Sequence, residues 1–118
     1  MTGARGEGYL DLAGETYAIL FTNQAIADAE RATGKTIMRL LRGFSGDDIG
    51  VADVAALLQV GLQYARRERL GTASGNDTQN AWRLLNQLGF GTVAPIVMEA
   101  LVAVINYRPK GESADPPA

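Results

Sequence analysis

The spacing of apolar residues changes within the stretch from Tyr17 to Gly34. Between Tyr17 and Phe21, successive apolar residues are expected to point to opposite sides, Tyr17, Ile19 and Phe21 to one side and Ala18 and Leu20 to the other. This alternation predicts a β-strand with one well-buried face. Beyond this point the apolar residues recur at intervals of three and four, which predicts a helix. Thr22 or Asn23 can cap this helix with a side-chain oxygen, and Gly34 can end it in a left-handed conformation. A strand is therefore expected to run directly into a helix whose buried face is mostly alanine.

The segment from Gly8 to Leu12 alternates in the same way. Ala13-Gly14 separates it from the second strand, and a glycine in a two-residue loop predicts a tight hairpin. The sequence therefore predicts an α+β, mostly helical fold with an N-terminal two-stranded antiparallel hairpin packed on about five helices. Further helical patterns are predicted at about residues 37–42, 51–69, 78–88 and 93–105.

Length and composition favour a single folded unit. A chain of 118 residues corresponds to one domain. Residues 1–7 and 108–118 are mostly small or polar and contain few large apolar side chains, so both ends are predicted to be disordered. The single α+β domain is expected to span residues 8–107.

Several classes of chemistry lack the residues that they need. The chain contains no cysteine and no histidine, which removes the usual thiol nucleophile, the usual general base and the usual transition-metal ligands. With 13 acidic and 11 basic residues, it offers no electrostatic reason to bind nucleic acid. The longest apolar run, residues 93–105, is too short for a bilayer, and no signal peptide is apparent. We expect an intracellular protein that is not an enzyme and has no cofactor, no metal and no membrane partner.

Two glycine motifs resemble nucleotide-binding patterns and fail on context. Gly34-Lys35-Thr36 could end a phosphate-binding loop, but Ala29 stands where the first glycine belongs and a helix precedes it. Residues 89–94 match G-x-G-x-x-A without a preceding strand. We interpret both motifs as junctions between helices, with Thr36 as the cap of the helix that follows Gly34.

Two clusters of charge also have simpler explanations than a binding site. Asp47, Asp48 and Asp53 could hold a hard cation, yet their spacing matches no calcium loop. We interpret them as solvated residues. Arg66 and Arg67 could bind a phosphate, but cations near the end of a helix also complement its dipole.

The amount of apolar surface exceeds what a small domain is expected to enclose. The third and fifth helices are apolar nearly all round, which predicts a partner-binding groove or self-association. The candidate partner-binding residues are apolar yet lie off the main stripe of their helix. They are Val60, Tyr64, Trp82, Phe90, Met98 and Val102.

The order of these patterns resembles a known family. The hairpin residues 10–14 and 17–22, the helix ending at Gly34, the pair Leu40-Leu41 and the apolar stretch 54–62 follow one another as in the tail assembly chaperones of long-tailed bacteriophages. The resemblance is to the branch shared with gene transfer agents, which has also been labelled a phage tail tube protein.

The resemblance implies a non-enzymatic role in viral morphogenesis. Such a chaperone binds and solubilises the tape measure protein in the host bacterial cytoplasm, with the tail tube protein as a second candidate partner and with self-association expected. The alternative is a structural tail component, a tail tube or connector subunit of a phage or gene transfer agent. The two short predicted strands disfavour a tube subunit, which usually needs a larger sheet. A small DNA-binding regulator is disfavoured by the net charge.

Overall fold

A hairpin is followed by helices in the computed structural model, which describes residues 3–109. The predicted fold class is confirmed: α+β and mostly helical, with the two-stranded antiparallel hairpin at the N-terminus. The elements are β1 (Arg5–Leu12), β2 (Glu15–Thr22), α1 (Asn23–Thr33), α2 (Ile37–Ser45), α3 (Val51–Arg67), α4 (Asp77–Leu88) and α5 (Phe90–Ile105).

The two-residue loop predicted between the strands is confirmed. Ala13 and Gly14 both have positive φ, 55° and 82°. Two successive left-handed residues are typical of the type I′ turn, whose twist matches that of the strands it joins. Leu12 therefore pairs with Glu15, and the antiparallel register continues from there to the start of β1.

β1 begins at Arg5 rather than at Gly8, so the prediction of disorder over residues 1–7 is wrong for residues 5–7. Here α5 lies directly against the strand. A Cβ added to Gly6 would stand 1.8 Å from the carbonyl oxygen of Ala100, and one added to Gly8 would stand 3.0 Å from Ile96 Cγ2. Glycine permits this close approach but has a low strand propensity, which hides the strand from the sequence pattern.

The remaining parts of the predicted termini lie mostly outside the described residues. Residues 1–2 and 110–118 fall there, and residues 108–109 have no regular secondary structure. The extent of the domain, residues 8–107, stays a prediction.

β2 is covered on both faces, whereas the alternation predicted one buried face. All five residues from Tyr17 to Phe21 are buried. Tyr17, Ile19 and Phe21 join the main core, while Ala18 and Leu20 pack on Ala65 of α3. The strand is therefore enclosed by α3 on the side away from the main core as well.

The link between α3 and α4, residues 68–76, is held against β2. The amide of Thr72 donates to the carbonyl of Thr16 at 2.8 Å, and the amide of Thr16 donates back to Oγ1 of Thr72 at 2.8 Å. Nearby, the buried Asn80 side chain donates to the carbonyl of Ser74 at 3.1 Å. The link therefore closes the outer edge of β2 at Thr16.

The predicted boundaries of α1 are confirmed. Thr22 Oγ1 accepts from the amide of Ala25 at 3.1 Å, and Gly34 ends the helix at φ 73°. Thr36 caps α2 as predicted, since its Oγ1 accepts from the amide of Arg39 at 3.2 Å. The capping side chains of α1 and α2 are thus among those that the sequence pattern identified.

Four later boundaries differ from the prediction. α2 continues to Ser45, α3 ends at Arg67 rather than at residue 69, and α4 begins at Asp77 with Asn76 as its cap. α5 begins at Phe90 rather than after Thr92. The early start of α5 places its proline one turn deeper in the helix than expected.

α3 is the centre of the molecule, in contact with β2, α1 and α4. Gly61 brings it close to the hairpin, since an added Cβ would stand 2.9 Å from Cβ of Ile19. The largest fully buried side chains come from the hairpin and from four of the helices. They are Tyr17, Phe21, Ile19, Leu20, Leu40, Leu57, Leu58, Leu84, Leu101, Val54, Val93 and Val97.

Candidate partner-binding surface

An open, largely apolar groove lies between the α2–α3 connection and the first turns of α5. Its volume is about 310 Å³. The side chains that line it are mostly aromatic, aliphatic or small, with a single charged residue among them. The lining residues are Phe44, Asp47, Ile49, Phe90, Gly91, Ala94, Pro95 and Met98, which we call the α5 groove.

The start of α5 leaves its backbone little covered at this groove. Gly89, at φ 92°, precedes the helix without a side-chain cap, and its carbonyl accepts from the amides of Thr92 and Val93 at 3.2 and 3.1 Å. Pro95 has no amide with which to reach the carbonyl of Gly91 one turn back. Gly91 has no side chain to fill the space beside that carbonyl. The groove therefore combines apolar walls with a carbonyl that lacks its helical donor.

Two of the predicted partner-binding residues meet in the α5 groove. The ring of Phe90 is 38% exposed at the start of α5, and Met98 is half-buried two turns further along. Phe44, in the last turn of α2, and Ile49, in the α2–α3 connection, also line the groove. The groove thus has a large apolar side chain at each of its walls.

Two other predicted residues lie apart from the groove. Trp82 is 42% exposed on α4, and Val102 is half-buried on α5 beyond the groove. Neither belongs to the groove lining. Each adds local apolar surface without a concave site around it.

Val60 does not present a surface to a partner, which corrects the prediction for this residue. It is only 7% exposed and belongs to the main core. α3 packs on one face of β2 through Gly61 and on the other through Ala65, while α1 and α4 cover its remaining sides. The second apolar face of α3 is therefore buried by the rest of the fold.

Tyr64 is tied into a polar cluster at the end of α3. Its hydroxyl donates to the carboxylate of Asp28, which also pairs with Arg31, and the guanidinium of Arg67 lies 4.5 Å from the centre of its ring. The hydrogen bond from Tyr64, helped by Arg31, lowers the pKa of Asp28. The same bond raises the pKa of Tyr64. Tyr64 thus joins α1 to α3 and is not a free anchor.

Sequence reasoning missed several members of the exposed apolar set. Phe44 lies in the last turn of α2, where nearby glycines and turn-forming residues hide the helix from the sequence pattern. Ile49 lies in the α2–α3 connection, and Pro95 lies in the second turn of α5. Met38 and Val51, at the starts of α2 and α3, are 52% and 48% exposed. No periodic signal distinguishes such terminal positions from core ones.

The glycine-lysine-threonine motif is a helix junction, as predicted. Gly34 ends α1, Thr36 caps α2, and Nζ of Lys35 lies 2.5 Å from Oδ2 of Asp53. Asp53, one of the three acids considered as ligands for a cation, is therefore already paired with Lys35. Within residues 3–109, no cluster of three acidic, histidine or cysteine side chains has the geometry to hold a metal ion.

The comparisons with known proteins add no family to this picture. No protein-family model, curated protein or solved structure matches the chain. In the part of the chain that the structure describes, no helix has the length and apolar character needed to cross a bilayer.

Proposed function

We propose that the protein is a phage tail assembly chaperone that binds the tape measure protein and keeps it soluble while the tail is built. The order of hairpin and helices that resembles this family supports the proposal. The observation that carries it is the α5 groove, because Phe90 and Met98 stay accessible there in a chain whose other apolar helix is enclosed. The proposal places the protein in the host bacterial cytoplasm, without enzymatic activity.

The shape and chemistry of the groove suit an amphipathic helix. Such a helix presents apolar anchors at positions i, i+3 or i+4 and i+7, and it binds in a groove of matching length. Met98 can adapt to different anchors because its side chain is flexible and polarizable. Many copies bound along one long partner give a strong and reversible coat through avidity. Self-association along the partner and contact with the tail tube protein belong to the same proposal.

The alternative, a structural tail tube or connector subunit, receives less support. The described residues contain a sheet of two strands only, and both outward faces of β2 are already covered. The two functions are distinguished by the protein composition of purified particles. A chaperone is absent from finished tails, and a structural subunit is present in many copies.

Two methionines provide a matched test of the groove. Met98→Asp places a charge in the α5 groove, and Met38→Asp places the same charge on α2, where the residue is 52% exposed and outside the groove. In co-expression with the tape measure protein, we expect Met98→Asp to lose most of the soluble partner and Met38→Asp to keep it. Circular dichroism checks that both variants fold. A folded Met98→Asp variant that solubilises the partner normally contradicts the proposal.

A further inference from the structure

The two edges of the hairpin differ in how their backbone groups are used. Thr16 uses both its amide and its carbonyl to bond Thr72, so its backbone points away from β1. In an antiparallel pair, residues opposite each other either both point inward or both point outward. Asp11 is opposite Thr16, so it also points outward, and the alternation extends to Tyr9 and Glu7.

β1 therefore has an open edge. Within residues 3–109, the amides and carbonyls of Glu7, Tyr9 and Asp11 take part in no hydrogen bond. All three residues are exposed, and the ring of Tyr9 is 49% accessible. An exposed row of strand donors and acceptors is a template for a further strand.

The charges beside this edge are acidic. The Arg5 guanidinium is already shared between Glu7 at 3.1 Å and Glu68 at 3.7 Å. Asp11 is exposed and accepts one hydrogen bond, from the hydroxyl of Thr16 at 2.9 Å. Carboxylates thus flank Tyr9 on both sides, spaced by four residues along one strand face.

We propose that the open edge of β1 binds an extended segment of another protein that carries lysine or arginine at two positions four residues apart. The segment adds a third strand to the sheet, with its cations opposite Glu7 and Asp11. Backbone hydrogen bonds supply the affinity and the carboxylates supply the selectivity. This surface is separate from the α5 groove, so the inference does not depend on the proposed function.

A second copy of the chain does not fit this edge. Antiparallel self-pairing gains charge attraction where it is centred on Gly6 or Gly8, because Arg5 then faces Glu7 or Asp11 of the copy. Over both glycines α5 lies against the strand, with Ala100 close to Gly6 and Ile96 close to Gly8. Neighbouring strands lie about 4.8 Å apart, whereas packed helices need about 8–10 Å between their axes. The two α5 helices would collide.

Amide hydrogen exchange with a defined peptide tests the proposal on the full chain. The probe is the blocked peptide TKATAKT, which places lysines opposite both acids and alanines toward α5. We expect the amides of Glu7, Tyr9 and Asp11 to exchange rapidly in the free protein and to become protected at least tenfold at saturating peptide. The amides of Gly6 and Gly8 point toward β2, so they should be protected in both states.

Two peptide controls isolate the backbone and the charge. TKATAKT with an N-methyl group on its central threonine should protect these amides much less, and so should TEATAET. If all three peptides protect these amides equally, the proposed selectivity for lysine or arginine is wrong. If none protects, the acids serve only to keep strands away. If the three amides are already protected in the free protein, another part of the chain or a second copy occupies the edge. Each of these results overturns the proposal.

A matched pair of double variants tests the role of the acids. Glu7→Gln with Asp11→Asn removes the two charges but keeps their hydrogen-bond acceptors, and should weaken peptide binding about fivefold. Asp48→Asn with Glu99→Gln changes the net charge equally at exposed residues outside both β1 and the α5 groove, and should leave binding unchanged. Equal effects from the two pairs would reduce the interaction to general charge attraction and contradict the proposed site.

Discussion

α3 and α5 are both apolar helices, but the rest of the fold buries them to different extents. Both are rich in aliphatic residues on nearly every side. α3 lies between β2, α1 and α4, so that even Val60 is buried. α5 packs on β1 through one side and on the core through another, while the side that carries Phe90 and Met98 stays open.

This difference shows that apolar content identifies a helix whose surface must be buried. It does not identify which part of the chain, or which partner, buries that surface. For α3 the cover comes from its own chain. For α5, whose groove-facing side remains accessible, we propose that it comes from a partner. The contrast between a closed helix and a half-open one leads to predictions that can be tested in order of their expected effect.

The largest expected effect is the difference in stability between the aspartate variants of two valines. Val60→Asp buries a charge without a partner in the core and should destabilise the protein by about 4–5 kcal/mol, which is close to complete unfolding. Val102→Asp, at a half-buried position on α5, should cost about 1 kcal/mol. Urea denaturation measures both. Equal costs would remove the distinction between the closed and the half-open helix.

A pair of glycines compares the two helices at their contacts with the hairpin. Gly6→Ala directs a methyl group at the backbone oxygen of Ala100, which can move only if α5 moves, and should cost about 3 kcal/mol. Gly61→Ala meets side-chain atoms of Ile19 and Phe21 at 2.9 and 3.0 Å, and alanine favours a helix by about 1 kcal/mol. Its net cost should be smaller. The reverse order would mean that α5 is the more loosely held of the two.

The smallest effect concerns the polar cluster at the end of α3. The pKa of Asp28 is lowered, so its contribution to stability is present above its ordinary value of 3.8 and is lost as pH falls through the folded-state value. The pKa of Tyr64 is raised, so its contribution is present below its ordinary value of 10.0 and is lost as pH rises above it.

Thermal unfolding of Tyr64→Phe across this pH range measures the cluster. The variant should be less stable than the parent near neutral pH. The gap should close as pH falls through the lowered folded-state pKa of Asp28, because protonation removes the charge that strengthens the hydrogen bond from the hydroxyl. A gap that stays constant from neutral to acidic pH would show that the ring of Tyr64 matters and its hydrogen bond does not.

Much of the fold could be predicted because its signals are local. The change of period near Thr22, the cap at Thr36 and the left-handed residue Gly34 each depend on neighbouring residues only. The start of β1 could not be found this way, because Gly6 is required for the close packing of α5, which is distant in sequence. Strand propensity at such a site is overruled by tertiary packing.

The candidate surface was predictable only in part for the same reason. Phe90 and Met98 were identified from their place off the main stripe, a property that a helical pattern records. Val60 has the same property, yet it is buried because β2 is enclosed on both faces. Phe44 joins the groove from the last turn of α2, where the nearby glycines obscure the helical period.

Site-specific crosslinking tests the central claim most directly. The chain has no cysteine, so Met98→Cys and Trp82→Cys each create a single attachment point for a photoreactive label. The account predicts that, with the tape measure protein co-expressed, the label at residue 98 crosslinks to an apolar helix of that partner and the label at the exposed residue 82 of α4 does not. Crosslinking from residue 82 without crosslinking from residue 98 would contradict the account.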